Sequence, residues 1–424
     1  MKILIVTFSF PPLNKIASSR PYSWAKYWSK MGHEVMVVTK KKTPRDGPLN
    51  FEIEEDDLKN VNVFELAAWP LWLKKPASDN STFRHPTFSL STLKYLKAGR
   101  FIFRGDYWLL PALNKINNIY QSFPFEIVIS TYGPRGSHII GSFIKKKYNV
   151  FWVADYRDLW SGKGKKHKKG LLDLIRDKIE IFFVSKADLI TTVSEGLKKQ
   201  LSNRFSCDVV KIENGFDENE ICRKSIDGNI FNNDNIVRLV YTGTLYPRWQ
   251  NASALFEALL ILIKKGIQLE KYLEVLFYGS YLGELEILIN RYNLKSVVRV
   301  KGIVSREESI EIQRSADALL FFEWCDPSAQ GIITGKLFEY LFSGRPILSI
   351  GPGTDTETLS LIKDNYAGLI LGESPQVIAD SIEKLLNGKK IYYRVYRDNL
   401  ERYNRKYLAE KMLKIIQKNI SSDM

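Results

Sequence analysis

The sequence predicts a parallel α/β protein built as two sheets in tandem. Short apolar runs alternate with helix-length amphipathic segments along the whole of the 424 residues, the pattern of parallel strands joined by helical crossovers. A polar stretch at 217–236 separates two such series. The length is sufficient for two complete cores.

In the first series, residues 3–8 read as a buried strand. The run is too short for a signal peptide and ends at Pro11 and Pro12 without a small-residue cleavage site. A helix is expected over 22–31, stopped by Gly32, with His33 as a helix-end residue. A strand follows at 34–39, then others at 61–66, 127–130, 151–154 and 189–193. Glu213, Asn214, Gly215, Phe216 and Asp217 close the series. The second series opens at 237–243 and continues with strands at 274–278, 297–301, 318–322, 346–350 and 367–371. The expected division is a first domain at 1–216, a linker at 217–236 and a second domain at 237–400.

Composition is ordinary for a globular protein, 45% hydrophobic and 26% charged. No apolar run reaches the ~18 residues of a membrane span. Cys207, Cys222 and Cys325 are isolated, so neither a disulfide framework nor a zinc site is expected. These features point to a cytoplasmic protein. Charge is uneven: residues 1–200 hold 33 Lys and Arg against 18 Asp and Glu, whereas the remainder holds 29 of each. A basic half suits nucleic acid, anionic lipid or a phosphate-bearing substrate; solubility accounts for it equally well. Five lysines crowd the glycine-flanked loop 163–169.

The most informative stretch runs from Thr334 to Pro346. An apolar strand at 318–322 leads through a turn-rich loop into a helix that ends at Gly344. Such a helix start presents free N–H groups and a positive dipole end. Lys336 sits in its first turn, a poor structural choice for a cation, and Glu339 follows three residues later on the same face. A base and an acid there suit a ligand carrying phosphate and hydroxyls; the alternative is a solvated helix with ordinary surface charges.

Other loops leave predicted strand ends. In the loop 9–20, Ser18, Ser19 and Arg20 could meet a phosphate; equally, Ser19 could cap a helix whose first residue is Pro21. The loop 131–138 carries Arg135 and His138, the latter open to a cleft role or to packing. Arg157 and Asp158 follow another strand, beside Trp160. Gly243 and Thr244 let backbone approach a ligand, with Arg248 just beyond. Glu323 or Asp326, after the strand at 318–322, could touch a hydroxylated ligand. Segment 69–113 interleaves aromatics with bases, which suits a membrane interface, single-stranded nucleic acid or a packed insertion.

The stretch from Thr334 to Pro346 resembles the donor-site helix of the GT-B glycosyltransferases of family 4, retaining enzymes that use sugar nucleotides. Phe10-Pro11-Pro12, Arg20 and Gly32-His33-Glu34-Val35 resemble that family's opening, and Ala187-Asp188 through Val193-Ser194 its strand near the end of the first domain. Asn214-Gly215-Phe216-Asp217 is similar to its hinge entry, Tyr241-Thr242-Gly243-Thr244 to the first loop of its second domain, and Ala316-Asp317 to the approach to the donor helix. The family usually has two glutamates eight positions apart. Glu339 matches the second; Gly331 stands at the first.

The resemblance implies the GT-B fold: two Rossmann-like domains facing across a cleft, with a C-terminal helix (401–424) returning to the first domain. It implies that Glu339 grips the donor ribose. Lys336, Arg248, Gly243 and Thr244 would hold the diphosphate, with Thr334 and Gly331 in the entering loop. Asp158, Arg157 and His138 become the catalytic candidates, and Ser18, Ser19, Arg20 and Arg135 the acceptor or phosphate loop. The implied partners are a UDP- or GDP-sugar and a glycan or polyprenyl-diphosphate-linked acceptor at the cytoplasmic face of an anionic membrane, in cell-envelope polysaccharide synthesis. No cofactor beyond the co-substrate and no obligatory metal is implied. Two other functions fit less of the sequence. A sugar-nucleotide epimerase needs no basic acceptor face, and a non-catalytic nucleic-acid- or partner-binding protein would draw its support from Gly331 and the missing glycines near residue 17.

Overall fold

The computed structural model describes residues 1–424 except 55, 68–107, 161–170, 218–229, 232–233, 247–248, 281, 326–332, 355, 390, 392, 396 and 423–424; of 171, 172, 356, 397 and 422 it describes only the backbone. The first sheet contains β1 (Lys2–Thr7), β2 (Glu34–Lys40), β3 (Val61–Leu66), β4 (Ile127–Thr131), β5 (Phe151–Tyr156), β6 (Leu189–Thr192) and β7 (Asp208–Lys211), in the order β3-β2-β1-β4-β5-β6-β7. The second contains β8 (Val237–Thr242), β9 (Leu273–Tyr278), β10 (Val298–Gly302), β11 (Ala318–Phe322), β12 (Ile347–Ile350) and β13 (Gly368–Gly372), in the order β10-β9-β8-β11-β12-β13. The pairings are parallel, as between β1 and β4 and between β8 and β11.

Both sheets therefore wind outward from a central strand, and their order reverses between β1 and β4 and between β8 and β11. Loops leaving strands at such a switch point diverge and open a crevice at the carboxyl ends. Helices cover both faces, so the central strands are buried throughout; Ile3, Leu4, Ile5 and Val6 are all inaccessible. Burial on both faces explains why these strands read as continuous apolar runs instead of alternating ones.

Beyond shifts of one or two residues at strand ends, two elements differ from expectation. The first helix is Ile16–Lys30, six residues longer at its start, and Pro21 lies inside it. Ser19 is therefore not its cap; Lys15 holds that position without a side-chain capping bond. Ser18, Ser19 and Arg20 are packed into the core, so tertiary burial outweighs the local capping signal. The second difference is β7, absent from the sequence reading: its four residues begin and end on charges.

The chain leaves the first half and returns to it at one place. Phe216 and Asn404 form a parallel bridge, with Phe216 N–H donating to Tyr403 O (3.0 Å) and Arg405 N–H to Phe216 O (2.8 Å). Beside this crossing, Asp217 is buried and accepts from Tyr27 (2.9 Å) and Lys26 (3.2 Å). The final helix, Arg405–Ser422, then packs on the first helix as the resemblance implies. Trp28 donates to Ala409 O (2.9 Å), and Leu408, Met412 and Ile416 join the core of the first sheet. Of the aromatic-basic segment, Trp108 is a core residue 6.3 Å from Phe8; the stretch 68–107 and the lysine loop 163–169 lie outside the described residues. Among the described residues no helix is long and apolar enough to cross a membrane.

Candidate functional site

At the carboxyl edge of the second sheet, three neighbouring strands end in backbone that a side chain could not follow. Gly243 after β8, Gly279 after β9 and Gly302 ending β10 have φ of +113°, +147° and +82°. Gly243 N–H donates to Tyr278 O and Gly279 N–H to Gly302 O, each at 2.7 Å, which sets the three turns side by side. Helix Gly335–Phe342 begins against this edge, on the far side of the switch point. Its Lys336 lies over the bare Gly243 backbone; a Cβ on Gly243 would stand 2.8 Å from Lys336 Cε and 3.1 Å from Nζ.

Lys336 is a cation in an unfavourable place. Its Nζ is 3.6 Å from the Tyr241 ring centroid. Among the described residues it has neither an ion-pair nor a hydrogen-bond partner. Burial pushes its ammonium down to about 7, only partly offset by Glu339. Thr334, at the N-cap of the same helix, leaves its buried hydroxyl without a partner among the described residues. Thr244 Oγ1 and Ser280 Oγ are hydrogen-bonded at 2.9 Å on the adjoining loops. An anion entering here would meet the ammonium, the helix start and open backbone together.

Glu339 stands one turn further along. Its Oε1 is 2.9 Å from Arg306 Nη1, in a pair whose members are 15% and 17% exposed. Below it, Tyr340 OH accepts from Thr242 N–H (2.9 Å), and Gln313 donates to Thr242 Oγ1 (3.0 Å), tying the helix to β8. Arg306 escaped the sequence reading. It lies 33 positions from Glu339, behind a Ser305 cap that marks only an ordinary helix start. Tyr241 enters the sequence analysis only within the stretch 241–244 and not as a partner of Lys336. Arg248, Gly331 and Asp326 lie outside the described residues. Glu323 is buried and engaged by Ser349 Oγ and Gly353 N–H, both at 3.0 Å, which corrects the expectation that it faces a sugar.

The first-domain wall distributes its candidates differently. Arg20 is 3% exposed and pairs with fully buried Asp155 at 2.8 Å. It also donates to Glu213 O at 2.7 Å, and Thr191 bonds Asp155 at 2.8 Å. Arg20 thus fastens β5, β6 and the hinge approach, which corrects its expected phosphate role, as burial does for Ser18 and Ser19. His138 is also corrected to a core position. It is inaccessible, its Nδ1 is 2.8 Å from Ser130 Oγ, and its ring packs 4.7 Å from Tyr156. Desolvation holds it neutral, pushed down to about 3. A buried imidazole with that environment has no access to a proton in the crevice.

Arg157, Asp158 and Arg135 remain at the crevice loops. Arg157 donates to Tyr132 O (2.9 Å) across Gly133, whose φ of +121° and missing side chain make room for the guanidinium. Asp158 is half-buried and, among the described residues, has neither a hydrogen-bond nor an ion-pair partner. Arg135 caps helix Gly136–Tyr148 with its backbone. Described residues of the two walls touch across the gap. Ile16 packs on Gly335, where a Cβ would come within 2.7 Å of Ile16 Cδ1. Glu357, on helix Thr356–Asp364, accepts the N–H groups of Glu195 (2.9 Å) and Gly196 (3.4 Å) across the gap.

Two Rossmann-ordered sheets, a crossing back at Phe216 and a returning helix match solved structures over essentially the full chain. Sucrose-phosphate synthase from Thermosynechococcus elongatus superposes with a TM-score of 0.63 at 14% identity, covering 100% of both chains. The fold is GT-B. UDP-GlcNAc 2-epimerase from Methanocaldococcus jannaschii (TM-score 0.51, 10% identity, 98% of this chain and 99% of that one) is similar as well. So is MnaA of S. aureus, solved with UDP (TM-score 0.51, 11% identity, 99% and 97%). No family model matches the sequence, and no curated protein does. At these identities the likeness establishes architecture alone.

Proposed function

We propose that this chain is a retaining glycosyltransferase that moves a sugar from a UDP- or GDP-sugar to a glycan or lipid-linked saccharide. The observation that carries the reading is Lys336: a desolvated ammonium lacking an anionic contact among the described residues, held over Gly243 at the switch point of the second sheet. A diphosphate supplies the missing counter-charge. As the donor bond breaks, negative charge grows on the leaving diphosphate; Lys336 and the N–H groups opening helix Gly335–Phe342 stabilise it. Glu339, oriented by Arg306, holds the ribose hydroxyls. Thr244 and Thr334 lie along the same loops, with Arg248 and Gly331 as further donor contacts.

Across the crevice, Asp158 is the group we assign beside the reacting sugar, with Arg157 fixing its loop and Arg135 toward the acceptor. Closure of the two halves excludes water from the reacting centre. The reaction we propose uses no resident metal or cofactor. The acceptor is a polyprenyl-diphosphate-linked or other envelope glycan, reached at the inner membrane face. Exposed Leu174, Ile175, Ile181 and Phe182 on helix Leu171–Val184 support that location. Sedimentation with anionic liposomes tests it: protein left in the supernatant contradicts membrane attachment.

Thermal-shift binding against UDP- and GDP-sugars, on the wild type and Glu339→Ala, tests the donor assignment. Stabilisation by one nucleotide class, reduced in the variant, supports it; silence across the panel from a folded protein rejects it. Epimerase names among the similar structures favour a second reading, a sugar-nucleotide epimerase. Incubation with the stabilising donor separates the two: transfer needs an added acceptor, whereas epimerisation interconverts the donor alone.

A further inference from the structure

A second groove, of about 560 Å³, lies on the opposite face of the second sheet from the Lys336 helix. Its size falls in the range of small-molecule sites, roughly 300–1,000 Å³. Trp249 and Asn251 line it from the loop after β8, Glu284, Ile287 and Leu288 from helix Gly283–Arg291, and Glu373 from the turn after β13. Positions 284, 287 and 288 share one helical face. No lysine or arginine lines it among the described residues.

The rim is a built aromatic platform. Tyr246 stacks on Trp324 at 5.4 Å, and Trp249 lies 6.0 Å from Trp324 and 6.1 Å from Tyr246. Trp249 is 43% exposed and Tyr246 41%. Exposed rings of this size are usually tolerated by a loop free to move, but the described residues on either side of 247–248 are fastened. Trp249 O accepts from Cys325 N–H (2.6 Å), and Gln250, itself buried, donates to Phe322 O (2.8 Å) while its Oε1 accepts from Tyr246 N–H (3.2 Å). The rings are held out in one arrangement, at the cost of leaving apolar area in water.

We infer that this groove binds a neutral saccharide, as a site separate from the one proposed for the nucleotide. The apolar C–H face of a sugar ring lies against Trp249, Ile287 and Leu288. Its hydroxyls donate to the exposed carboxylates of Glu284 and Glu373 and meet the Asn251 side chain. The two acids, unopposed by a lining base among the described residues, disfavour phosphate and sulfate, so the occupant we infer is neutral. The groove and the Lys336 edge are joined by the loop 243–251, so a saccharide held here lies near the crevice. The inference does not depend on the transferase reading, since it rests on a different face and different residues.

Binding of glucose, mannose, galactose and N-acetylglucosamine hexasaccharides, with a chondroitin sulfate hexasaccharide as the charged control, tests it on the full chain. The expected result is that at least one neutral hexasaccharide binds at millimolar concentration or below. Its binding weakens about tenfold in Trp249→Ala, is retained in part by Trp249→Phe, and is unchanged by saturating UDP or by Lys336→Met. Glu373→Arg, at an exposed position, reads the same groove if the tryptophan variant unfolds, and it also weakens binding. Absence of binding by every neutral hexasaccharide overturns the inference. So does equal binding by wild type and both variants, or preference for the sulfated control. Nucleotide binding, measured on the same samples, stands or falls separately.

Discussion

Lys336 Nζ stands 3.6 Å from the centroid of the Tyr241 ring, in the turn where helix Gly335–Phe342 begins. The ring offers partial compensation for a charge taken from water, and burial still pushes the ammonium down to about 7 from the ordinary lysine range. The sign for ligand binding follows. Below about pH 7 the free protein already presents the cation; above it, a proton must be taken up as a diphosphate binds. Nucleotide affinity therefore falls as pH rises from 6.5 to 8.5, by at most about tenfold per unit above 7. Titrations across this range check it, and an affinity independent of pH contradicts it.

The Arg20–Asp155 pair is inaccessible to solvent and shares hydrogen bonds with Thr191 and Glu213 O. Removing one partner leaves the other charged and buried. Arg20→Ala and Asp155→Ala should each destabilise the first half by about 3–5 kcal/mol, and the double replacement by less than their sum. Urea unfolding followed by the tryptophans of that half measures the effect. A loss below about 1 kcal/mol for either variant would place the pair in the inexpensive surface class.

His138 is neutral in the folded chain because burial pushes it down to about 3, whereas an unfolded histidine titrates near 6.5. The unfolded state thus binds one more proton between those values. Stability is lost as pH falls through that window and is fully present above 6.5. His138→Gln should lose less stability than the wild type between pH 7 and 4.5, read as the difference in melting shift. Parallel curves would mean that the imidazole is not held neutral.

Glu357 caps the start of helix Glu195–Ser202 from the other half of the molecule, with Lys211 3.6 Å from the same carboxylate. Capping bonds of this kind satisfy amides that otherwise turn to water. Glu357→Ala should leave each half folded and increase the radius of gyration in X-ray scattering. High salt should move the wild type the same way. Unchanged scattering in both would show that this contact does not hold the halves together.

Much of the architecture is legible because parallel strands covered on both faces must be apolar, as Ile3 to Val6 and Ala318 to Phe322 are. Where an element is short and edged by charge, as in Asp208–Lys211, that signal fades. The first helix shows the opposite failure. Ser19 and Pro21 spell a helix start, yet the burial of Ser18, Ser19 and Arg20 carries the helix back to Ile16. In the candidate site, Lys336 and Glu339 were legible because they share one helix turn. Arg306 and Tyr241 were not, because only the fold brings them to that turn. His138 and Arg20 read as cleft residues from their place after strands; side-chain direction, which sequence position does not specify, turns both inward.

The central claim is that Lys336 and the Gly243 turn hold the diphosphate of a nucleotide donor. Calorimetric titration of UDP and of GDP into the wild type and Lys336→Met tests it most directly. One nucleotide should bind with proton uptake at pH 8, and the variant should bind ten- to a hundredfold more weakly with the uptake abolished. Equal affinity and equal proton uptake in the two proteins, or no binding of either nucleotide to the folded wild type, would contradict it.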